Sequence, residues 1–297
     1  MKWMEAVTAP KTGMLPRILM PACFIAQVWI ATATSALELE YVSHLKLYFP
    51  EIGLTEPSGL AIAPDGSGFW IVSDETRTVF KLEADGEVGA FLGHDDHMRD
   101  LEGVVVDAGQ DRLLMVSERT SHIIAVALDP PHRLDVVKIA DLPTPTDLSD
   151  ALEDYDNGLE GIGLDPETGF IFVLKEQKPR LLVTIAPAMD GVIAVRTLDG
   201  VLPDGEDVSG LTFDPGRNGF WIVSDIGKSV YFLSNDGNAV ITFDLFWKDK
   251  DGKRKLDNAE GVALSSDGQH LFVVSDDKKK SRLVHYKIID DKRHSNQ

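Results

Sequence analysis

One spacing constrains this chain more than any other. Five glycines, Gly59, Gly103, Gly161, Gly210 and Gly261, are each followed fifteen residues later by an acid: Asp74, Glu118, Glu176, Asp225 and Asp276. Around the glycines the sequence repeats as Glu56-Pro57-Ser58-Gly59-Leu60, Asp100-Leu101-Glu102-Gly103-Val104, Gly158-Leu159-Glu160-Gly161-Ile162, Asp207-Val208-Ser209-Gly210-Leu211 and Asn258-Ala259-Glu260-Gly261-Val262. Each glycine opens a short apolar stretch. Most copies then turn through Asp, Pro and Gly into a second apolar stretch, as in Leu60–Ala63, Pro64–Gly68 and Phe69–Ser73. Alternating apolar runs around such a turn predict a β-hairpin.

The glycines lie 44 to 58 residues apart, room for four short strands and their turns. In the first copy the third and fourth strands are expected at about 78–82 and 88–92, with Asp85-Gly86 between them. A lone four-stranded sheet leaves open edges and a poorly buried face, whereas five packed radially bury both faces. The predicted fold is therefore all-β, a five-bladed β-propeller of four-stranded antiparallel blades. Six blades are the alternative and would need a sixth, degenerate copy. Residues 39–48 are expected to supply the outer strand of the last blade. Helical periodicity is confined to an ambiguous stretch at 148–152.

The first 36 residues read differently. Lys2, Lys11 and Arg17 precede an apolar run from Ile18 to Ile30, followed by small residues up to Ala36. That order predicts a signal peptide or an N-terminal membrane anchor over 1–36, with the propeller domain over 37–297. Cys23, the single cysteine, lies in that run. A domain beginning at Leu37 has no disulfide framework and depends on its core and on ring closure. The expected location is periplasmic or extracellular, with the N-terminal segment able to contact a membrane.

The hairpin places the residue before strand one and the residue after strand two at the same end of the blade. Glu102 and Glu118 should therefore be neighbours, as should Glu160 and Glu176, and Glu260 and Asp276. In the first and fourth copies the acid has moved back two places, to Glu56 and Asp207, opposite Asp74 and Asp225. Closure would gather ten carboxylates at one channel mouth, where like charges raise one another's pKa. A hard cation would relieve this, calcium most naturally, while magnesium would demand a tighter octahedron. Basic side chains such as Arg77, Arg119, Lys175, Lys178 and Lys228 could instead pair with some of the acids. Others could act in turns of the Asx kind.

The candidate metal ligands are Glu102, Glu160, Glu260, Glu56, Asp207, Glu118 and Glu176. The glycines are expected at close approaches near the axis. Trp70, Trp221, Phe172 and Phe272 are expected to pack between blades. Ser73, Ser117, Ser224 and Ser275 are expected to be hydrogen-bonding strand ends. An acidic stretch, 139–157, precedes the third copy and should project on the acidic face. Residues 247–258 read as a hairpin tip without a metal. His94 and His97 lack a third zinc ligand, and His122 reads as structural. No catalytic nucleophile or phosphate loop is evident.

The pattern of Glu-Pro-Ser-Gly-Leu, Leu-Glu-Gly-Val, Leu-Glu-Gly-Ile and Glu-Gly-Val-Ala, with second strands ending in Ser-Asp or Ser-Glu, resembles the SdiA-regulated (YjiK-like) family. It is distantly similar to NHL-repeat propellers. The family resemblance implies a five-bladed propeller with a calcium ion on its channel face, in secreted or envelope proteins. Carried over residue by residue, it points to Glu102, Glu160 and Glu260 with their partners. Ser58 and Ser209 replace glutamate in two copies, so the ligand set cannot be symmetric. A net charge of −19 excludes nucleic acid as a partner and favours cations or basic groups. Two functions follow as expectations: a calcium-binding scaffold with a protein or small-molecule ligand at the acidic channel face, or a calcium-dependent hydrolase of a lactone or phosphoester.

Overall fold

The computed structural model describes residues 37–93, 95–149, 158–176 and 178–290. The N-terminal segment 1–36, His94 and the acids at 150–156 lie outside the described residues. The sequence between the glycines folds as anticipated into four-stranded antiparallel sheets, five in number. Blade one comprises β2 (Pro57–Ile62), β3 (Gly68–Ser73), β4 (Thr78–Glu83) and β5 (Val88–Gly93), following the closing strand β1 (Leu37–Lys46). Blade two comprises β6 (Leu101–Asp107), β7 (Arg112–Ser117), β8 (His122–Ala127) and β9 (His132–Lys138). Blade three follows one helical turn, α1 (Thr146–Ser149), and comprises β10 (Leu159–Leu164), β11 (Ile171–Lys175), β12 (Leu181–Ile185) and β13 (Val192–Thr197). Blade four comprises β14 (Gly210–Asp214), β15 (Gly219–Ser224), β16 (Ser229–Ser234) and β17 (Val240–Asp244).

A two-stranded ribbon, β18 (Phe246–Asp249) and β19 (Gly252–Lys255), then forms a sheet of its own that packs on Tyr41 and Tyr286 of blade five. It is the hairpin expected at 247–258. Blade five has β20 (Ala259–Leu264), β21 (His270–Ser275) and β22 (Arg282–Asp290), and its fourth strand is β1. β1 pairs antiparallel with β22 from Leu37 opposite Asp290 to Lys46 opposite Arg282. The ring is thus closed by a strand from the other end of the chain, as the sequence suggested.

The cores lie between blades. One cluster joins Leu114, Val116 and Ile123 of blade two to Ile162, Val173 and Val183 of blade three. Another joins Trp221 and Val230 of blade four to Val262, Val273 and Tyr286 of blade five. Phe172 of blade three meets Phe213 and Phe220 of blade four at 5.1 and 4.9 Å between ring centroids, and Phe272 meets Phe69 across the closing seam at 5.0 Å. Trp70 packs on Phe91 of its own blade, within a cluster that continues into blade two.

The five glycines seat each blade on the next. A Cβ on Gly59 would lie 3.0 Å from Gly103 Cα, on Gly103 3.1 Å from Gly161 Cα, and on Gly161 3.2 Å from the Gly210 carbonyl carbon. A Cβ on Gly210 would fall 2.2 Å from the Glu260 carbonyl oxygen, and one on Gly261 would fall 2.8 Å from the Ser58 oxygen. The contact therefore runs once round the axis and returns to its start. Glycine is required here by proximity, since any side chain would enter the neighbouring backbone.

Candidate metal centre at the acidic mouth

The inner strands do not pair regularly at their starts. In β10 Leu159 faces Lys175 while Gly161 faces Leu174, so Glu160 is an extra, unpaired residue. The same bulge isolates Glu102 in β6, Glu260 in β20 and Ser58 in β2. A bulge re-aims the side chain of its extra residue. Two residues earlier the chain is left-handed, at Asp100, Gly158 and Asn258, with φ of 57°, 89° and 52°. The carbonyls of these three residues accept hydrogen bonds from the amides of Glu118, Glu176 and Asp276, at 2.9, 2.8 and 2.8 Å. One local device, repeated in three blades, therefore clamps each bulged glutamate beside the acid that ends the second strand.

Blades one and four use the bulge position differently. Ser58 donates its hydroxyl to the Leu101 carbonyl of blade two. Ser209 donates to the Ala259 carbonyl of blade five at 2.6 Å. These two serines fasten neighbouring blades where the other copies carry charge.

Of the seven predicted ligands, Glu102, Glu118, Glu160 and Glu176 fall into close carboxylate groups, whereas Glu260, Glu56 and Asp207 belong to neither. Asp100, Glu102 and Glu118 each offer an oxygen, all within 4.8 Å of one another, and so do Glu118, Glu160 and Glu176. Glu118 belongs to both groups and links blades two and three. Glu160 is buried, at 8% exposure, while Glu102 and Glu260 keep some surface towards the opening. Burial, then the charges of Glu176 and Glu118, push the Glu160 carboxyl up to about 10. Burial and the neighbouring acids raise Glu260 to about 8 and Asp74 to about 7. Burial and the charge of Glu160 also hold Glu102 well above the usual range. Burial is likewise the first cause of the upward shifts at Glu118, Glu176 and Asp225.

Glu56 and Asp207 stand at the edge of this group. Glu56 is raised by burial and by the charges of Asp276 and Glu75. Asp207 accepts hydrogen bonds from Ser224 Oγ and, at 3.0 Å, from the Ile226 amide. Asp276 accepts from the Lys278 amide at 3.1 Å, the turn-forming role expected of some acids. Of the serines at the strand ends, Ser117 donates to the Arg99 carbonyl and Ser224 to Asp207. The buried Ser73 and Ser275 hydroxyls have no hydrogen-bond partner among the described residues, which departs from the expectation for them.

Among the described residues few basic side chains reach these acids. Arg119 reaches Asp100 at 3.5 Å. Arg77 pairs with Asp96 and Lys228 with Asp257, away from the bulged glutamates. Among the described residues no ion pair reaches Glu102, Glu160 or Glu260. Sequence reasoning passed over Asp100 as a ligand. Its signal was the recurring Asp, Gly or Asn two places before Glu, residue types that tolerate left-handed backbone.

Below the acids the channel narrows to a throat of about 10 Å³. Its walls are the five glycines, Glu102, Glu160 and an apolar ring of Leu60, Val104, Ile162, Leu211 and Val262. The members of that ring are all nearly inaccessible. An apolar floor keeps water from beneath the carboxylates, in keeping with burial as the first cause of their upward shifts.

Comparison with known proteins agrees with this architecture. The model of the SdiA-regulated family matches residues 35–278. Among solved structures, a glutaminyl cyclase from Myxococcus xanthus has 12% identity and a TM-score of 0.56, covering 85% of this chain and 97% of that one. A gluconolactonase from Xanthomonas campestris has 16% identity and a TM-score of 0.52, covering 83% and 89%. A chain of a nidogen/laminin complex has 14% identity and a TM-score of 0.51, covering 81% and 86%. At these identities the likeness is one of fold.

Proposed function

The chain belongs to the SdiA-regulated family, and from that membership and the acidic mouth we propose that it is a calcium-binding propeller serving as a binding scaffold in the periplasm or outside the cell. The observation that carries this reading is the pair of three-carboxylate groups sharing Glu118, set over an apolar floor. The donor set suits the ion. Calcium takes six to eight oxygens at roughly 2.3–2.6 Å, so two ligands of one ion stand at most about 5 Å apart. Both groups fall within that limit, and all their donors are oxygen. Neither contains a histidine or cysteine of the kind zinc prefers. Asp100, Glu102 and Glu118, or Glu118, Glu160 and Glu176, would hold the ion. Bound calcium would offset the repulsion among these groups and leave a hard acceptor for a ligand's oxygen.

Calorimetry on chelator-stripped protein tests this. Uptake of calcium at sub-millimolar concentration is expected, and its absence would overturn the metal reading.

The alternative is a calcium-dependent hydrolase of a lactone or phosphoester. Glu160 favours it, as a buried carboxyl beside two further carboxylates that could hand a proton to a reacting group. The gluconolactonase among the structural relatives shares the fold, which by itself does not transfer chemistry. A panel of lactones and aryl esters, assayed with and without calcium, separates the two. Metal-dependent turnover that disappears in Glu160→Gln would establish the enzyme.

A further inference from the structure

The other end of the channel is built from different material. The inner strands run from the acids to a second mouth, where their C-terminal halves line a cavity of about 730 Å³. Its floor is the same ring of Leu60, Val104, Ile162, Leu211 and Val262 that underlies the carboxylates. Only the narrow throat of about 10 Å³ lies between this cavity and the acidic face. Its volume lies within the range of small-molecule sites, roughly 300–1,000 Å³.

The lining is one-sided. Among the described residues, blades one, two and three contribute only glycine, proline and apolar side chains, including Ile62, Phe69, Val105 and Leu164. The polar lining comes from blades four and five: Thr212, Ser265, Ser266, Asp267, His270 and His285, with Asp214. Asp214 is already engaged by Arg217 and by the Trp221 indole N–H. Among the described residues this lining holds no lysine or arginine, and Arg217 behind it is engaged by the Asp214 carboxylate and the Gly268 carbonyl.

The two histidines define what the polar side can recognise. His285 Nε2 and His270 Nδ1 share a hydrogen bond of 2.9 Å, and Phe272 stacks on His285 with ring centroids 4.5 Å apart. Burial and the neighbouring His270 lower the His285 pKa, which favours the neutral ring. In the neutral form of such a pair, two protons serve four nitrogens, and one of them occupies the shared bond. The outer nitrogens, His270 Nε2 and His285 Nδ1, then present one donor and one acceptor between them. That is the complement of a hydroxyl group.

We propose that this second mouth is a binding site for a neutral amphiphilic small molecule, its apolar body against blades one to three and a hydroxyl-type head towards His270 and His285. The site is separate from the acidic mouth and needs no metal. A cavity of about 730 Å³ is too small to admit a folded partner.

The full chain can be titrated with N-phenyl-1-naphthylamine, a neutral apolar fluorophore. Saturable, one-to-one enhancement is expected with or without a calcium chelator. Leu164→Trp and Ile62→Trp, which fill the wall, should each weaken it at least tenfold while far-UV circular dichroism stays unchanged. Should one of these variants misfold, the other carries the test. Decanol should displace the probe at least tenfold better than decanoate at pH 8, and His285→Phe should reduce that preference. Absence of saturable binding, binding unaffected in a folded wall variant, or a preference for decanoate would overturn the proposal. Loss of calcium binding in Glu118→Gln should leave probe binding as it was.

Discussion

The α-carbon of Gly210 approaches the Glu260 carbonyl so closely that a methyl group there would lie 2.2 Å from that oxygen. Blade four therefore seats on blade five through bare backbone, at the carbonyl of the bulged Glu260 itself. Gly210→Ala should cost about 3 kcal/mol or more in urea denaturation, because backbone would have to move on both sides. Gly89→Ala is the control: its Cβ would meet nothing within 4 Å, and the position is not left-handed. Its expected effect is within about 0.5 kcal/mol.

The acidic mouth sets the pH response. Glu160, Glu260 and Asp74 have folded-state values of about 10, 8 and 7, all above the ordinary carboxylate range. A carboxyl raised by folding favours the native state at low pH. That advantage disappears as pH climbs from about 4 through the folded values. Metal-free protein should thus be more stable at pH 5 than at pH 9, with a fall in Tm of about 10 °C. Saturating calcium should reverse or flatten this slope. Thermal unfolding followed with chelator and with calcium at both pH values checks it.

Ligand variants should rank by position. Glu118 is common to both carboxylate groups, whereas Glu56 sits at the rim beside Glu75 and Asp276. Glu118→Gln is expected to weaken calcium binding by ~30-fold or more, equivalent to about 2 kcal/mol. Glu56→Gln should change it less than about threefold. Equal effects in calorimetry would contradict the shared role of Glu118.

The serines that replace glutamate should act as fasteners. Ser209→Ala removes the donor to the buried Ala259 carbonyl and should cost about 1–2 kcal/mol without reducing calcium affinity. Tyr286→Phe should cost a similar ~1–2 kcal/mol, since its hydroxyl donates to the Phe246 carbonyl at 2.6 Å and accepts from the Phe246 amide at 3.1 Å. Its loss should loosen the β18–β19 ribbon first, seen as faster amide exchange at 246–255.

Much of this could be read from the chain because a hairpin of constant length fixes both its ends. Fifteen residues from Gly161 to Glu176 is one antiparallel excursion, so the acids had to fall at the same end as the glycines. The closing strand was expected at 39–48 and lies at Leu37–Lys46. The bulges at Glu102, Glu160 and Glu260 were not, because a single unpaired residue leaves no periodic trace. The sharing of Glu118 between blades depends on how sheets lean together, which no local pattern encodes. Nor did the sequence separate the apolar floor from the wider cavity beyond it. Val104 and Val105 are adjacent in β6, yet one is nearly sealed and the other remains partly exposed.

The pairing of β1 with β22 also bears on the order of events in biogenesis. The strand nearest the start of the propeller has its partner within the last forty residues of the chain. It must therefore stay unpaired while four blades are being made, and it finds its place only when blade five emerges. A nascent chain would carry an exposed sheet edge on its first strand and on its last blade, and completion of that blade would hide both in a single step.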